Sequence, residues 1–323
     1  MKHLFALPMI AVLTLGATAC GGSGNTAAPR VSGNPAASST GLPSTGGKGS
    51  IKIGAANFPE NGILAEVYKQ ALAHAGYDAS VVSLTTRPNI VTALQNGGIQ
   101  VEPDYVGSLT EYFNKAANGP GAKPVASGDL QATFTQAKTF ASAKGLTVLT
   151  PSAAADQNAF AVTKAFSTKN NVTKLSDLAA YKGPLVLGGT PECKTYPLCQ
   201  PGLEKLYGLR FTGFQQTDLG GTLSVSKLKS GAVTLGEYLS SDGGVKANDF
   251  VVLEDDKHLQ SVDNIVPVLT ASVAKDPLVS QILEAVSAAM TTEDLIALNA
   301  EVSIDRKLPA QAATDFLTAK HLL

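Results

Sequence analysis

The sequence has no tryptophan, and only three cysteines, three methionines and four histidines among its 323 residues. The histidines, His3, His74, His258 and His321, are scattered, so no acid–base or metal-binding group can be assembled from neighbours. Neither sign of charge dominates. The 25 Lys and Arg against 26 Asp and Glu leave a net charge of −1, which gives no reason to expect nucleic acid as a partner. Also missing are GxSxG, HExxH, a P-loop and a GxGxxG between strand and helix, the spacings that build nucleophile elbows, zinc sites and phosphate cradles. The acidic run Glu254-Asp255-Asp256 follows an expected strand and reads as a solvated turn. The chain therefore offers no catalytic set, and no enzyme, cofactor or metal is expected.

Long hydrophobic runs are scarce too. Lys2 and His3 precede an apolar stretch from Leu4 to Leu15, which fits a secretory signal peptide and is short for a membrane span. It ends in Ala17-Thr18-Ala19-Cys20, which resembles a lipobox, so lipidation of Cys20 is expected after export. The alternative is a plain signal peptide cut nearby. Residues 21–50 are almost all small residues, Pro and Gly without apolar periodicity, the composition of a disordered tether. The expected location is outside the cytoplasm, with acyl chains as the sole membrane attachment.

What the chain does have, from Ile51 on, is alternation of strand-like and helix-like patterns. "IKIGAANF" reads as a strand, and "PENGILAEVYKQALAHAGY" follows with Ile63, Leu64, Val67, Ala71 and Leu72 on one helical face and Gly76 as its stop. A strand, a helix and a third strand, "IQVEPDYVG", complete a β-α-β-α-β order that predicts a parallel sheet with helices on its faces. Ligands of such sheets gather at the carboxyl ends of the strands, here the loops "NFPEN", "TTRPN" and "EPDYVGS". A second α/β half repeats the style, and two extended segments connect the halves. Two lobes joined by crossing strands, with the cleft between them as the site, are expected.

The segments "ANFPENGILAEVYKQALAHAGY", "EPDYVGSL", "DQNAFAVTK", "GGTPEC…PGLEKLYGL" and "VVLEDDK…NIVPVL", taken in order, resemble the ProX/OpuAC-type substrate-binding proteins of osmoprotectant ABC transporters. The resemblance covers nearly all of residues 51–323. It implies a type II periplasmic-binding-protein fold with a two-segment hinge, lobe 1 from 51–160 plus 258–323 and lobe 2 from 161–257. It also implies capture of glycine betaine, choline or a related quaternary amine for delivery to an ABC permease subunit, by a monomer. Other readings are a binder of another polar or aromatic solute, or a sensory binding lipoprotein. A trimethylammonium group donates no hydrogen bond, so its natural site is a box of aromatic faces, worth about 0.5–2 kcal/mol per contact. Without Trp, that box must come from 8 Tyr and 11 Phe.

Tyr105 is the leading candidate, because "EPDYVG" matches the family's "PEYTG"-like motif. Phe58 is a candidate wall, and Ala56 stands where relatives often carry Lys. Thr86 and Arg87 lie in the second loop, with Arg87 as donor to an anionic group or as half of an ion pair. Glu60 and Asn61 read as helix-capping residues. Asn158 in the crossing segment would bond the ligand or stabilise the hinge. In the second lobe "EYLSSD" puts Leu239 where an aromatic is expected. Tyr238, one step earlier, remains a candidate although that slip aims it at the opposite face of a strand. Tyr196, between Cys193 and Cys199, is the possible substitute. For those two cysteines a metal half-site, a redox pair and a staple were open. Cys20 is accounted for by lipidation, no further ligand lies nearby, and the spacing is not CxxC, so a Cys193–Cys199 disulfide in an oxidising compartment is expected.

Overall fold

The computed structural model describes residues 41–323. The expected signal peptide, Cys20 and residues 21–40 lie outside the described residues. Among the described residues there are ten strands: β1 (Ser50–Ala55), β2 (Asp78–Ser83), β3 (Val101–Tyr105), β4 (Leu146–Val148), β5 (Asn158–Thr163), β6 (Val186–Gly189), β7 (Gly213–Gln216), β8 (Leu235–Leu239), β9 (Phe250–Val252) and β10 (Ile265–Thr270). They form two five-stranded sheets, in the orders β2-β1-β3-β10-β4 and β7-β6-β8-β5-β9.

Local rules account for the elements that shape the site. Helix Pro59–His74 starts with Pro in its first turn and buries Ile63, Leu64, Val67, Ala71 and Leu72, the face its periodicity marks. It stops where Gly76 takes a φ of 101°, a conformation that favours glycine. Strand β10, IVPVLT, is buried along its whole length because both its faces are covered. Ile265 and Leu269 pack with Leu64, Leu72 and Leu283 on one face. Val266 and Val268 pack with Ile90, Leu109 and Phe113 on the other. The second sheet has its own core around Phe160, Leu187, Leu203 and Leu235. At about 1.5–3 kcal/mol per buried large aliphatic side chain, each lobe holds its own core.

The parallel pairing expected for β1, β2 and β3 is present, as it is for β6, β7 and β8. The strands that cross between lobes run the other way. β10 is antiparallel to β3 and β4, and β5 is antiparallel to β8 and β9. Each of them arrives straight from the other lobe without a crossover helix, so nothing turns it into the parallel direction. Two expected boundaries shift. All of β5 belongs to the second sheet, so residues 158–160 leave lobe 1. The last part of the expected tether is packed, not free: Leu42 joins the lobe 1 core and Gly47 N–H bonds the Ala75 carbonyl at 2.8 Å.

The two crossing segments touch each other. Ala155 bridges Asn264, Asp156 N–H bonds the Asp263 carbonyl at 3.1 Å and Ile265 N–H bonds the Ala154 carbonyl at 3.0 Å. A third tie between lobes is Asn299 of helix Thr292–Ser303. Its amide donates to Glu60 Oε2 at 2.5 Å and to the Ser241 carbonyl at 3.0 Å.

Candidate functional site

A cavity of about 920 Å³ opens between the lobes, a size suited to small molecules. Each of the three loops singled out at the strand ends contributes to it: Phe58 after β1, Arg87 after β2, and Tyr105, Gly107 and Ser108 after β3. The crossing segments supply Asp156, Gln157 and Asn158 on one pass and His258–Asp263 on the other, with Val262 alone absent from that second run. Lobe 2 supplies Tyr196, Pro197, Leu198 and Leu239.

Tyr105 ends β3 and is held from behind. Its hydroxyl donates to buried Glu60 Oε1 at 2.6 Å, which leaves the ring as the part that meets the cavity. Burial and the Glu60 carboxylate hold its hydroxyl well above the usual tyrosine range. The Phe58 ring lies 6.1 Å from the Tyr105 ring, tilted by 33°. Glu60 and Asn61 are thus not capping residues: Asn61 takes the Ala56 N–H at 2.6 Å and donates to the Pro103 carbonyl at 2.8 Å, joining the ends of β1 and β3. Both sit on the buried face of their helix, where a side chain bonds inward.

Tyr196 reaches the cavity from the loop closed by a Cys193–Cys199 disulfide, as the sequence suggests. That loop is fixed further by Gln260 Nε2, which donates to the Leu198 carbonyl at 2.7 Å, and by buried Glu237, which accepts Thr190 N–H at 2.8 Å. Tyr196 is 44% exposed, an uncovered ring facing open cleft. Burial and the carboxylates of Asp263, Glu111 and Glu237 raise its hydroxyl pKa.

Two candidates are not brought here. Tyr238 is fully buried against Phe250, at a ring separation of 5.9 Å. The strand's alternation turns Leu239, its neighbour, toward the cavity. Thr86 is exposed at the start of helix Arg87–Gln95 and lies outside the cavity lining. Arg87 lines the cavity but forms a two-pronged ion pair with Asp104, Nη2 to Oδ1 at 2.7 Å and Nε to Oδ2 at 3.1 Å. Asn158 lines the cavity, its side-chain amide without a hydrogen bond among the described residues.

Sequence reasoning missed the carboxylates. Asp263 Oδ1 accepts the N–H groups of Gly107 and Ser108, both at 2.9 Å, and Oδ2 accepts Ser108 Oγ at 2.6 Å. Desolvation, the largest effect, overrides those bonds and pushes its carboxyl up to about 6. The contact needs glycine at 107, where a Cβ would sit 2.2 Å from the Val262 carbonyl oxygen. Asp156 Oδ1 accepts Ser241 Oγ at 2.7 Å; burial and the nearby Glu60 push it up to about 7. Glu111 lines the cavity and anchors its outer loop through the N–H groups of Val125 and Ala126, at 2.6 and 2.7 Å. A usable signal existed: Asp156 and Asp263 each stand within two residues of a crossing strand.

Residues 49–319 match the family described as the substrate binding domain of ABC-type glycine betaine transport systems, OpuAC. The chain belongs to that family. A glycine-betaine-binding protein of Pseudomonas aeruginosa is 27% identical over 285 residues, 84% of this chain and 88% of that protein. The glycine betaine-binding protein YehZ of Escherichia coli is 26% identical over 281 residues, 84% of this chain and 90% of that protein. A solved structure titled as a glycine betaine/carnitine/choline ABC transporter shares the fold, with a TM-score of 0.75 at 22% identity, over 84% of this chain and 99% of that one. As an OpuAC domain, the chain is the extracytoplasmic substrate-binding component of an ABC importer.

Proposed function

We propose that this OpuAC chain captures a quaternary-amine osmoprotectant in the cleft between its lobes and delivers it to its permease. The observation that carries this is the meeting of Phe58, Tyr105 and Tyr196, from three separate loops, around one cavity whose wall also holds Asp156 and Asp263. Aromatic faces attract a methylated ammonium that can make no hydrogen bond, at about 0.5–2 kcal/mol each. Carboxylates behind them supply the rest of the field. The box has three aromatic walls, with Leu239 in the place of a fourth. The relatives' names support the ligand class.

The other side chains of the cavity serve binding and not turnover in this reading: Asp263 is occupied as a helix cap and Arg87 as an ion pair. The lipobox-like ATAC sequence supports anchoring through a lipidated Cys20, and a monomer is proposed as the working form. Mass spectrometry of the membrane fraction and light scattering of the purified protein check those two points.

Calorimetry against a panel of quaternary amines tests the ligand class, and a panel without heat or thermal shift overturns it. Tyr105→Ala is expected to weaken amine binding about tenfold or more, the ~1.4 kcal/mol of one aromatic contact. An unchanged affinity removes Tyr105 from the site.

A further inference from the structure

We propose that the solute this cleft selects is a monocation without a carboxylate of its own, its ammonium held between the aromatic walls and the two crossing-segment carboxylates, Asp156 and Asp263. The inference rests on the quaternary-amine reading and narrows it. A zwitterion needs two things from a site: a negative or aromatic place for the ammonium, and an unspent cation or donor set for the carboxylate. The cavity provides the first in excess. Glu111, Asp156 and Asp263 line it, and Glu60 and Asp104 stand directly behind its wall. Both tyrosine walls lie in this negative field: Glu60, Asp156 and Asp104 act on Tyr105, and Asp263 and Glu111 act on Tyr196.

The second need is met by neutral amides alone, those of Gln157 and Asn158, and poorly by charged groups. The basic side chains of the lining are Arg87, Lys115 and His258. Arg87 is locked to Asp104 by both prongs and also feels Asp263 and Glu102, so an incoming carboxylate meets a guanidinium already neutralised and flanked by acids. Lys115 is exposed, on the outer part of helix Val106–Asn118. The N–H groups of Gly107 and Ser108, at the start of that helix, are the natural anion donors of the cleft. Asp263 already takes them.

Asp156 has room for the ammonium. Its Oδ1 accepts from Ser241, while Oδ2 takes no hydrogen bond from the described residues. The groups facing Asp156 are Glu60 from helix Pro59–His74, Ser241 after β8, and Asp263 from the other crossing segment. Those facing Asp263 are Ser108, Asp104 and Arg87 of lobe 1, Tyr196 of lobe 2 and Asp156 of the other crossing segment. A cation arriving between the two carboxylates favours their charged forms, so capture releases protons and affinity rises with pH across about 6 to 7.

The test compares choline with glycine betaine by calorimetry at about pH 5.5 and about pH 8, a window that spans the carboxyl titrations. Choline is expected to bind about tenfold or more tighter than glycine betaine at the higher pH. Its affinity is expected to fall about fivefold or more at the lower pH. Asp156→Asn is expected to lower choline affinity at the higher pH and to flatten the pH dependence. Glycine betaine binding as tightly as choline, or a choline affinity unchanged by pH in the native protein, overturns this inference and leaves the quaternary-amine reading standing. Absence of binding by every amine overturns both. The comparison uses native protein, so it holds even where a variant fails to fold.

Discussion

Asp156, in the cavity wall, is set against stability by its own burial. Its carboxyl is pushed up to about 7 by burial and by Glu60, whereas in the unfolded chain it titrates near about 4. Between those values the folded protein holds a proton that the unfolded chain has lost. Its stabilising contribution is therefore complete below about pH 4 and lost as pH rises through about 7. Asp156→Asn keeps an acceptor for Ser241 Oγ and removes the titration. In ligand-free protein, thermal unfolding is expected to show this variant gaining on the native chain as pH rises from about 4 to about 8. Parallel melting curves across that range would show that Asp156 is not desolvated as described. Gly107 is the companion case: Gly107→Ala drives a methyl into the Val262 carbonyl oxygen, breaks the seat of Asp263 on two N–H groups, and is expected to cost about 1–3 kcal/mol by chemical denaturation.

Elements differ in how much of the site they disclose through their sequence. The helix Pro59–His74 and the strands around it are legible because apolar spacing and a glycine stop agree with packing on one sheet. The pairing direction of β5 and β10 is not legible, since it is decided by where the chain comes from and not by side-chain pattern. Helices Leu130–Ser142 and Pro309–Ala319 escape notice for a different reason: each buries only a few residues, alanines among them, which leaves little large-aliphatic pattern to read. The disulfide loop is legible as a staple, but its aim at the cavity depends on Gln260 and Glu237, distant in sequence. The closed loop is short, with a separation of 6 residues, so the link is worth about 2 kcal/mol to stability. Replacing both cysteines with serine is expected to cost about that much and also to weaken amine binding, because Tyr196 loses its fixed place. If affinity is unchanged while stability falls, the loop is a staple only and Tyr196 does not touch ligand.

At the scale of the whole molecule, the decisive feature is how little joins two separately packed lobes. Each sheet has cores drawn from its own strands and helices. The ties are the paired crossing segments, the serines Ser240 and Ser241 bonded to Ala155, Gln157 and Asp156, Asn299 bridging Glu60 to the Ser241 carbonyl, and helix Gly243–Ala247 packed on helix Thr292–Ser303, where Gly243 lies against Ala300. Apart from that one small helix contact they are polar bonds near backbone that can rotate, whereas sliding one hydrophobic core over another would cost far more. The cavity's lining comes from both lobes and from both crossing segments, so a solute that touches all of it at once requires the lobes to come together. Saturating choline is expected to reduce the radius of gyration in small-angle scattering. It is also expected to stabilise the fold by about 2.7 kcal/mol at a hundredfold excess over Kd. Asn299→Ala removes a tie at the hinge without touching the cavity lining. It is expected to destabilise the ligand-free protein by about 1–3 kcal/mol while leaving the choline-induced compaction in place. Stabilisation by ligand without compaction would mean that the lobes are already closed on an empty cleft, and that binding proceeds without hinge motion.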